Sequence, residues 1–218
     1  MLDDSCISAI GELVQDVRCK ARADVGFIVD SSGSLKSEYG KEKQFVKLLA
    51  QKFGLSAKGS HAGVVLFSDT ADVRVKLAEK NTGAEFNDAV DQLPLLGKTT
   101  RIDKALQVAY NDLFQPENGL RLDVPQVLFV LTDGAQTNAI DAVSPAQAIV
   151  PFHESDIKVV VIGVGSGVKR EELKSMVKSE KDLYVAKNFD ELISSQFVDN
   201  ITASSCQEGR EKFLFSCY

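Results

Sequence analysis

Asp30-Ser31-Ser32-Gly33-Ser34 places an acid, three hydroxyls and a turn-forming glycine directly after the apolar run Val25–Val29. Thr132-Asp133-Gly134 does something similar after a second apolar run, Val127–Leu131. Two carboxylates brought into one cleft repel each other unless a proton or a cation lies between them. Ser32 and Ser34 alternate with Asp30, so all three side chains face one point if the segment is extended and then turns at Gly33. Hydroxyls are hard, neutral oxygen donors. Two carboxylates, hydroxyls and waters form an octahedral oxygen set suited to Mg²⁺ or Mn²⁺, with Ca²⁺ a further oxygen-binding candidate. No sulfur or imidazole is present to favour zinc or copper. A plainer reading has Asp30 and Ser32 only capping the next helix; the matching acid at Asp133 weighs against it.

Other chemistries fit these loops less well. A dinucleotide site would want glycines where Asp30 stands, and an acid there repels pyrophosphate. Gly163-Val164-Gly165-Ser166-Gly167 comes late in the chain and reads as a flexible turn. There is no P-loop, and no nucleophile elbow at a strand end. Neither His61 nor His153 neighbours a strand-end serine or acid, which argues against a Ser-His-Asp triad. Asp30 as a phosphoryl acceptor would want a second acid in its own loop, where Ser31, Ser32 and Ser34 stand instead. The chain is therefore read as a non-enzyme.

The elements that must position these residues are legible. Val25–Val29, Gly63–Phe67, Val127–Leu131 and Val159–Val164 are continuous apolar runs, the pattern of strands buried on both faces in a parallel sheet. Ala71–Ala78 alternates instead, with Val73, Val75 and Leu77 between Asp72, Arg74 and Lys76, as an edge strand does. Ser68-Asp69-Thr70 is too short for a crossover, so this strand must pair antiparallel with Gly63–Phe67. Leu183–Ala186 is a sixth, weaker strand. Phe45, Leu48, Leu49 and Phe53 recur at helical spacing, as do Ile102, Ala105, Leu106, Ala109, Tyr110 and Leu113. Ser144-Pro145-Ala146-Gln147 reads as a helix start. So does Asn188-Phe189-Asp190-Glu191, opening a helix that carries Leu192, Ile193, Phe197 and Ile201. The expected fold is an α/β three-layer, doubly wound, Rossmann-like sandwich with a mostly parallel central sheet and one antiparallel edge strand. Ligands of such sheets bind beyond the carboxyl ends of the strands, where Asp30 and Asp133 lie.

With those elements in place, Asp30-x-Ser32-x-Ser34, a threonine loop at Gly97–Ile102 and Thr132-Asp133-Gly134 resemble the metal-ion-dependent adhesion site of the von Willebrand factor type A domain. The resemblance spans roughly Ala23 to Ser205. It implies that Asp30, Ser32, Ser34, Asp133 and one threonine hold a divalent cation. Thr99 and Thr100 are both candidates. Thr100 is chosen because Ala105 and Leu106 follow it by five and six positions, as a small and an aliphatic residue do in the family; Thr99 is the fallback. Arg101, beside the site, either pairs with a ligand acid or points to water, and the second is the expected reading. The resemblance further implies an open metal position that takes a carboxylate from a protein partner, with collagen a candidate. The expected function is that of an extracellular adhesion or matrix module. The alternative is a structural matrix or fibre scaffold that does not need its metal site.

Composition bounds the rest. The chain has 218 residues, 44% apolar and 26% charged, with a formal net charge of −6. That charge disfavours nucleic-acid partners, and no run reaches the roughly 18 apolar residues of a membrane helix. Met1-Leu2-Asp3-Asp4 is acidic where a secretory leader would be basic, so the chain is read as a mature secreted domain. Its four cysteines flank the domain body. They allow three connectivities. Cys19–Cys206 is favoured as a clamp between the termini, worth roughly 4–5 kcal/mol on the chain-entropy treatment, with Cys6–Cys217 outside it. Residues 23–205 are expected to form the domain, with 1–22 and 206–218 as extensions.

Overall fold

The computed structural model describes residues 17–214, with side chains through 206. Six strands form one sheet in the order β3-β2-β1-β4-β5-β6. They are β1 (Asp24–Asp30), β2 (His61–Phe67), β3 (Ala71–Val75), β4 (Gln126–Thr132), β5 (Lys158–Val164) and β6 (Leu183–Ala186). β2 and β3 are antiparallel; every other pair is parallel. This is the expected α/β architecture.

The continuous apolar runs work because each central strand feeds two cores. Phe27, Val29, Phe129 and Leu131 point to one face, where they meet Phe45 and Leu49 of α1 (Tyr39–Lys52), Phe86 of α2 (Gly83–Asp91) and Ile201. Ile28, Leu128 and Val130 point to the other, against Ile102 and Leu106 of α3 (Ile102–Val108), Phe152 and Leu173. β3 is covered on one side only, hence its alternation. The remaining helices are α4 (Pro145–Ala148), α5 (Val150–Glu154), α6 (Arg170–Lys174), α7 (Phe189–Leu192) and α8 (Ser195–Leu214). Both halves of the Ser144/Gln147 capping box form.

Two helical expectations need correction. The periodic stretch Ile102–Leu113 is α-helical only to Val108 and then widens into a π turn, Ala109–Leu113. The wider turn seats Leu113 and Phe114 on the sheet where it has no side chains. A Cβ at Gly26 would lie 2.6 Å from the Phe114 ring, and one at Gly63 would lie 2.5 Å from Leu113. The helix opened by Asn188 does not run through to Ile201. It stops after Leu192, and α8 starts at Ser195. Ser194 Oγ donates to Glu191 O and accepts from Phe197 N, so its hydroxyl ends one helix and caps the next.

Cys19 and Cys206 are disulfide-bonded, with Cα atoms 5.4 Å apart across 187 residues of sequence. Cys6 and Cys217 lie outside the described residues. α8 continues past residue 205.

Candidate functional site

β1 and β4 are parallel neighbours, with Val29 opposite Leu131. Asp30 and Thr132 therefore end their strands side by side, and Asp133 follows one residue later. The Thr132 hydroxyl donates to Asp30 Oδ2 at 2.7 Å, and Ser32 N donates to Asp30 Oδ1 at 2.8 Å. The chain then makes one 3₁₀ turn, Gly33–Leu35, with Leu35 plugged into the core. That turn brings the Ser34 hydroxyl to Asp133 Oδ1 at 2.8 Å, across 99 residues of sequence, and the Ser32 and Ser34 hydroxyls lie 3.1 Å apart. The next helix is capped by neither Asp30 nor Ser32: its first residue is Tyr39 and no side chain caps it.

The threonine loop packs against this turn. Gly33 N donates to Lys98 O, and a Cβ at Gly33 would lie 3.1 Å from Gly97 O. Thr100 is 8% exposed, whereas its neighbour Thr99 is exposed. A Cβ added to Gly134 would stand 3.9 Å from Thr100 Oγ1, which places that hydroxyl against the Asp133-Gly134 turn. Asp30, Ser32, Ser34, Thr100 and Asp133 thus gather at one pole, beyond the carboxyl ends of the parallel strands.

Several residues passed over in the sequence hold this pole together. The Ser31 hydroxyl donates to Pro94 O and accepts from Leu96 N; the Ser68 hydroxyl donates to Thr99 O and accepts from Lys98 N. These clamps join loops 30–65 residues apart, and nothing local in the sequence signals them. Glu42 sits beneath the site, buried, and its Oε1 accepts from Asp30 N at 3.0 Å. Its Oε2 has no hydrogen-bond partner among the described residues. A signal for it existed: Glu42 lies three positions before Phe45, on the buried face of α1. The Gly165–Gly167 turn is not simply slack, since a Cβ at Gly167 would lie 2.5 Å from Asp133 O.

Arg101 departs from expectation. It is 5% exposed, not solvated. Its guanidinium forms two hydrogen bonds with Asp103, both 2.8 Å, and a third to Asp141 at 2.8 Å. The residue before it is buried and its own N–H is held by Ser68 O, so the side chain is directed inward.

The three acids of the pole share one electrostatic condition. Burial pushes the Asp30 carboxyl up to about 6; the Thr132 and Ser32 hydrogen bonds pull it down and the Asp133 charge adds to the rise. Burial raises Asp133 as well, against the pull of Ser34. Glu42 is held well above the usual carboxylate range by burial first, then by the charges of Asp30 and Asp133. The charges acting on these groups are one another's, so the pole favours a proton or a cation. Among the described residues no group of three or more His, Cys, Asp or Glu is arranged for a metal. The donor set on offer is accordingly two carboxylates with hydroxyls, which fits a hard cation that keeps part of its water.

The family model for the von Willebrand factor type A domain matches residues 24–199. The chain belongs to that family. It is 26% identical to von Willebrand factor A domain-containing protein 2 of Xenopus laevis, over 88% of this chain and 24% of the relative. It is 28% identical to the human collagen alpha-6(VI) chain, over 96% of this chain and 9% of the relative. It thus spans less than a quarter of the length of these relatives. Among solved structures it is similar to proximal thread matrix protein 1 from the mussel byssus, with a TM-score of 0.81 and 24% identity over 87% of this chain and 48% of that one. A second structure of that protein, with its MIDAS motif occupied by zinc, has a TM-score of 0.76 and 26% identity over 87% of this chain and 47% of that one. Among the described residues no helix is long and apolar enough to cross a membrane.

Proposed function

We propose that Asp30, Ser32, Ser34, Thr100 and Asp133 form an intact metal-ion-dependent adhesion site. It holds Mg²⁺ in the first instance, with Mn²⁺ and Ca²⁺ as alternatives. The bound ion would supply a Lewis-acidic position open to a partner's Asp or Glu carboxylate. The chain's own contribution is to hold the oxygen donors in place. The Thr132 hydroxyl and Ser32 N orient Asp30, the turn at Gly33 swings Ser34 over to Asp133, and Ser31 and Ser68 fix the threonine loop. On this reading the domain body comprises residues 23–205, and its last helix, α8, runs on to Leu214. It is a secreted binding module of the extracellular matrix that binds and does not turn over its ligand. Collagen is the candidate partner.

The observation that carries this reading is the Ser34 hydroxyl on Asp133, which joins the first and last motifs at one point. The zinc-occupied site of the byssal protein supports a metal here and makes Zn²⁺ a necessary competitor in any titration. The direct test is calorimetry with Mg²⁺, Mn²⁺ and Zn²⁺ on the wild type and Asp30→Ala, with circular dichroism to show that both are folded, followed by binding to immobilised collagen with and without chelator. The expected result is that Asp30→Ala removes metal binding and partner binding together. Metal-independent collagen binding by a folded Asp30→Ala protein would refute the reading. The similarity to a thread matrix protein favours a scaffold role as the second reading. Self-association in light scattering that is indifferent to Mg²⁺ would support it.

A further inference from the structure

Asp133 is followed by a segment with little regular structure, residues 134–143, yet this segment is tied down at both ends. Thr137 N donates to Thr100 O at 2.8 Å, and Thr100 N donates to Thr137 Oγ1 at 3.1 Å. Both polar groups of the Thr100 backbone are thus held by one residue of another loop. Two positions before the end of the segment, Asp141 takes the third hydrogen bond of Arg101. Just before Thr137, Gln136 accepts from Asp103 N at 2.8 Å and donates to Val143 O at 2.7 Å. Asp103 Oδ2, besides its bond to Arg101, accepts from Val143 N at 3.3 Å.

Stability alone does not call for this arrangement. The two-point pair with Asp103 already satisfies the charge of Arg101. Asp141 has a side-chain exposure of 68%, and exposed ion pairs contribute little to folding. What the third bond does is geometric. It joins the residue after Thr100 to the far end of the loop that leaves Asp133, while Thr137 joins the near end to Thr100 itself.

We propose that Arg101 and Thr137 are positioning residues, which set the Thr100 hydroxyl relative to Asp133 and so tune the affinity of the cation site. This rests on the reading of the site given above. Partners that orient metal ligands without touching the metal commonly affect affinity by about 10–100-fold. The sign of the effect separates positioning from simple charge. Removing the guanidinium makes the pole more negative, which by through-space attraction alone would tighten cation binding. Loss of positioning weakens it. Thr137→Val changes no charge, keeps the shape and removes the acceptor for Thr100 N.

The experiment is calorimetry with Mn²⁺ alone on the wild type, Arg101→Met and Thr137→Val, well below the unfolding temperature of each. It is paired with amide hydrogen exchange at Thr100 in the metal-free proteins. The expected result is Mn²⁺ binding weakened about tenfold in both variants, with faster exchange of the Thr100 amide in both. If Arg101→Met does not fold, Thr137→Val, which changes no charge, carries the test with the same expectation. Wild-type affinity in folded Thr137→Val and Arg101→Met overturns the inference and leaves the cation site standing. Tighter binding by Arg101→Met with Thr137→Val unchanged also overturns it, in favour of charge. Absence of Mn²⁺ binding by the wild type overturns the cation site and this inference together.

Discussion

Replacing both Cys19 and Cys206 with serine should cost this domain much of its stability and none of its metal affinity. The bond closes a loop across 187 residues. On the chain-entropy treatment a loop of that size restricts the unfolded chain by about 5 kcal/mol. A domain of ordinary stability has only about 5–15 kcal/mol in total, so the loss would approach the whole of a marginal value. The bond lies among Ala23, Phe53, Pro125 and Val127, at the amino ends of β1 and β4. The candidate site is at their carboxyl ends, about 20 Å away for seven-residue strands. Native contacts near the bond remain in the variant, including Cys19 N to Lys52 O and the Lys52–Asp199 ion pair at 2.8 Å. The assay is guanidinium unfolding of the double variant against the oxidised wild type, with Mn²⁺ calorimetry on each. A loss of several kcal/mol with unchanged Mn²⁺ affinity is expected. A loss below about 1 kcal/mol would refute the entropic argument. A large change in Mn²⁺ affinity would refute the separation of the two poles and show that α8 communicates with the site.

Two further outcomes follow from packing and charge. Gly63→Ala places a Cβ 2.5 Å from Leu113 and 2.9 Å from Val75 O; it should destabilise by about 1–3 kcal/mol in denaturant unfolding, as overpacking does, and a neutral effect would show that the π turn yields. Burial pushes the Asp103 carboxyl up, but its hydrogen bonds and attraction to Arg101 outweigh this and hold it below the usual carboxylate range. A depressed folded value means that the pair's contribution is complete above the unfolded value of about 3.9 and is lost as pH falls through the folded value. The difference in unfolding free energy between the wild type and Asp103→Asn should therefore rise with pH across the acid range and level off above about pH 4. A difference that falls with rising pH would contradict the pairing.

Much of this molecule is legible in its sequence because much of it is local. Continuous apolar runs mark strands with two covered faces, and the alternation of Val73 and Val75 marks the one strand covered on a single face. Ser68-Asp69-Thr70 is too short to permit anything but a hairpin. The Ser144 and Asn188 helix starts depend on bonds three residues long. The capping box at Thr82 and Glu85 carries the same short-range signal. Where the reading failed, the deciding partner was remote or a side chain competed with the backbone. Arg101 is expected in water because a charged residue in a loop is usually exposed. Of its two acid partners, Asp103 is local, two residues on, and Asp141 lies 40 residues away. The break before α8 came from the Ser194 hydroxyl, which bonds the backbone on both sides of it.

The sequence by itself determined the α/β class, and it put forward the candidate donors and the favoured Cys19–Cys206 pairing, since residue type, short-range periodicity and cysteine placement carry that information. Only the tertiary structure decided which side chains hold those donors: Ser31 and Ser68 on the threonine loop, Thr137 and Arg101 beside it, and Glu42 under Asp30. The reason is physical. Each of these residues is defined by a hydrogen-bond partner on another loop or layer, and such a partner comes into reach only when the sheet has closed and water has been excluded.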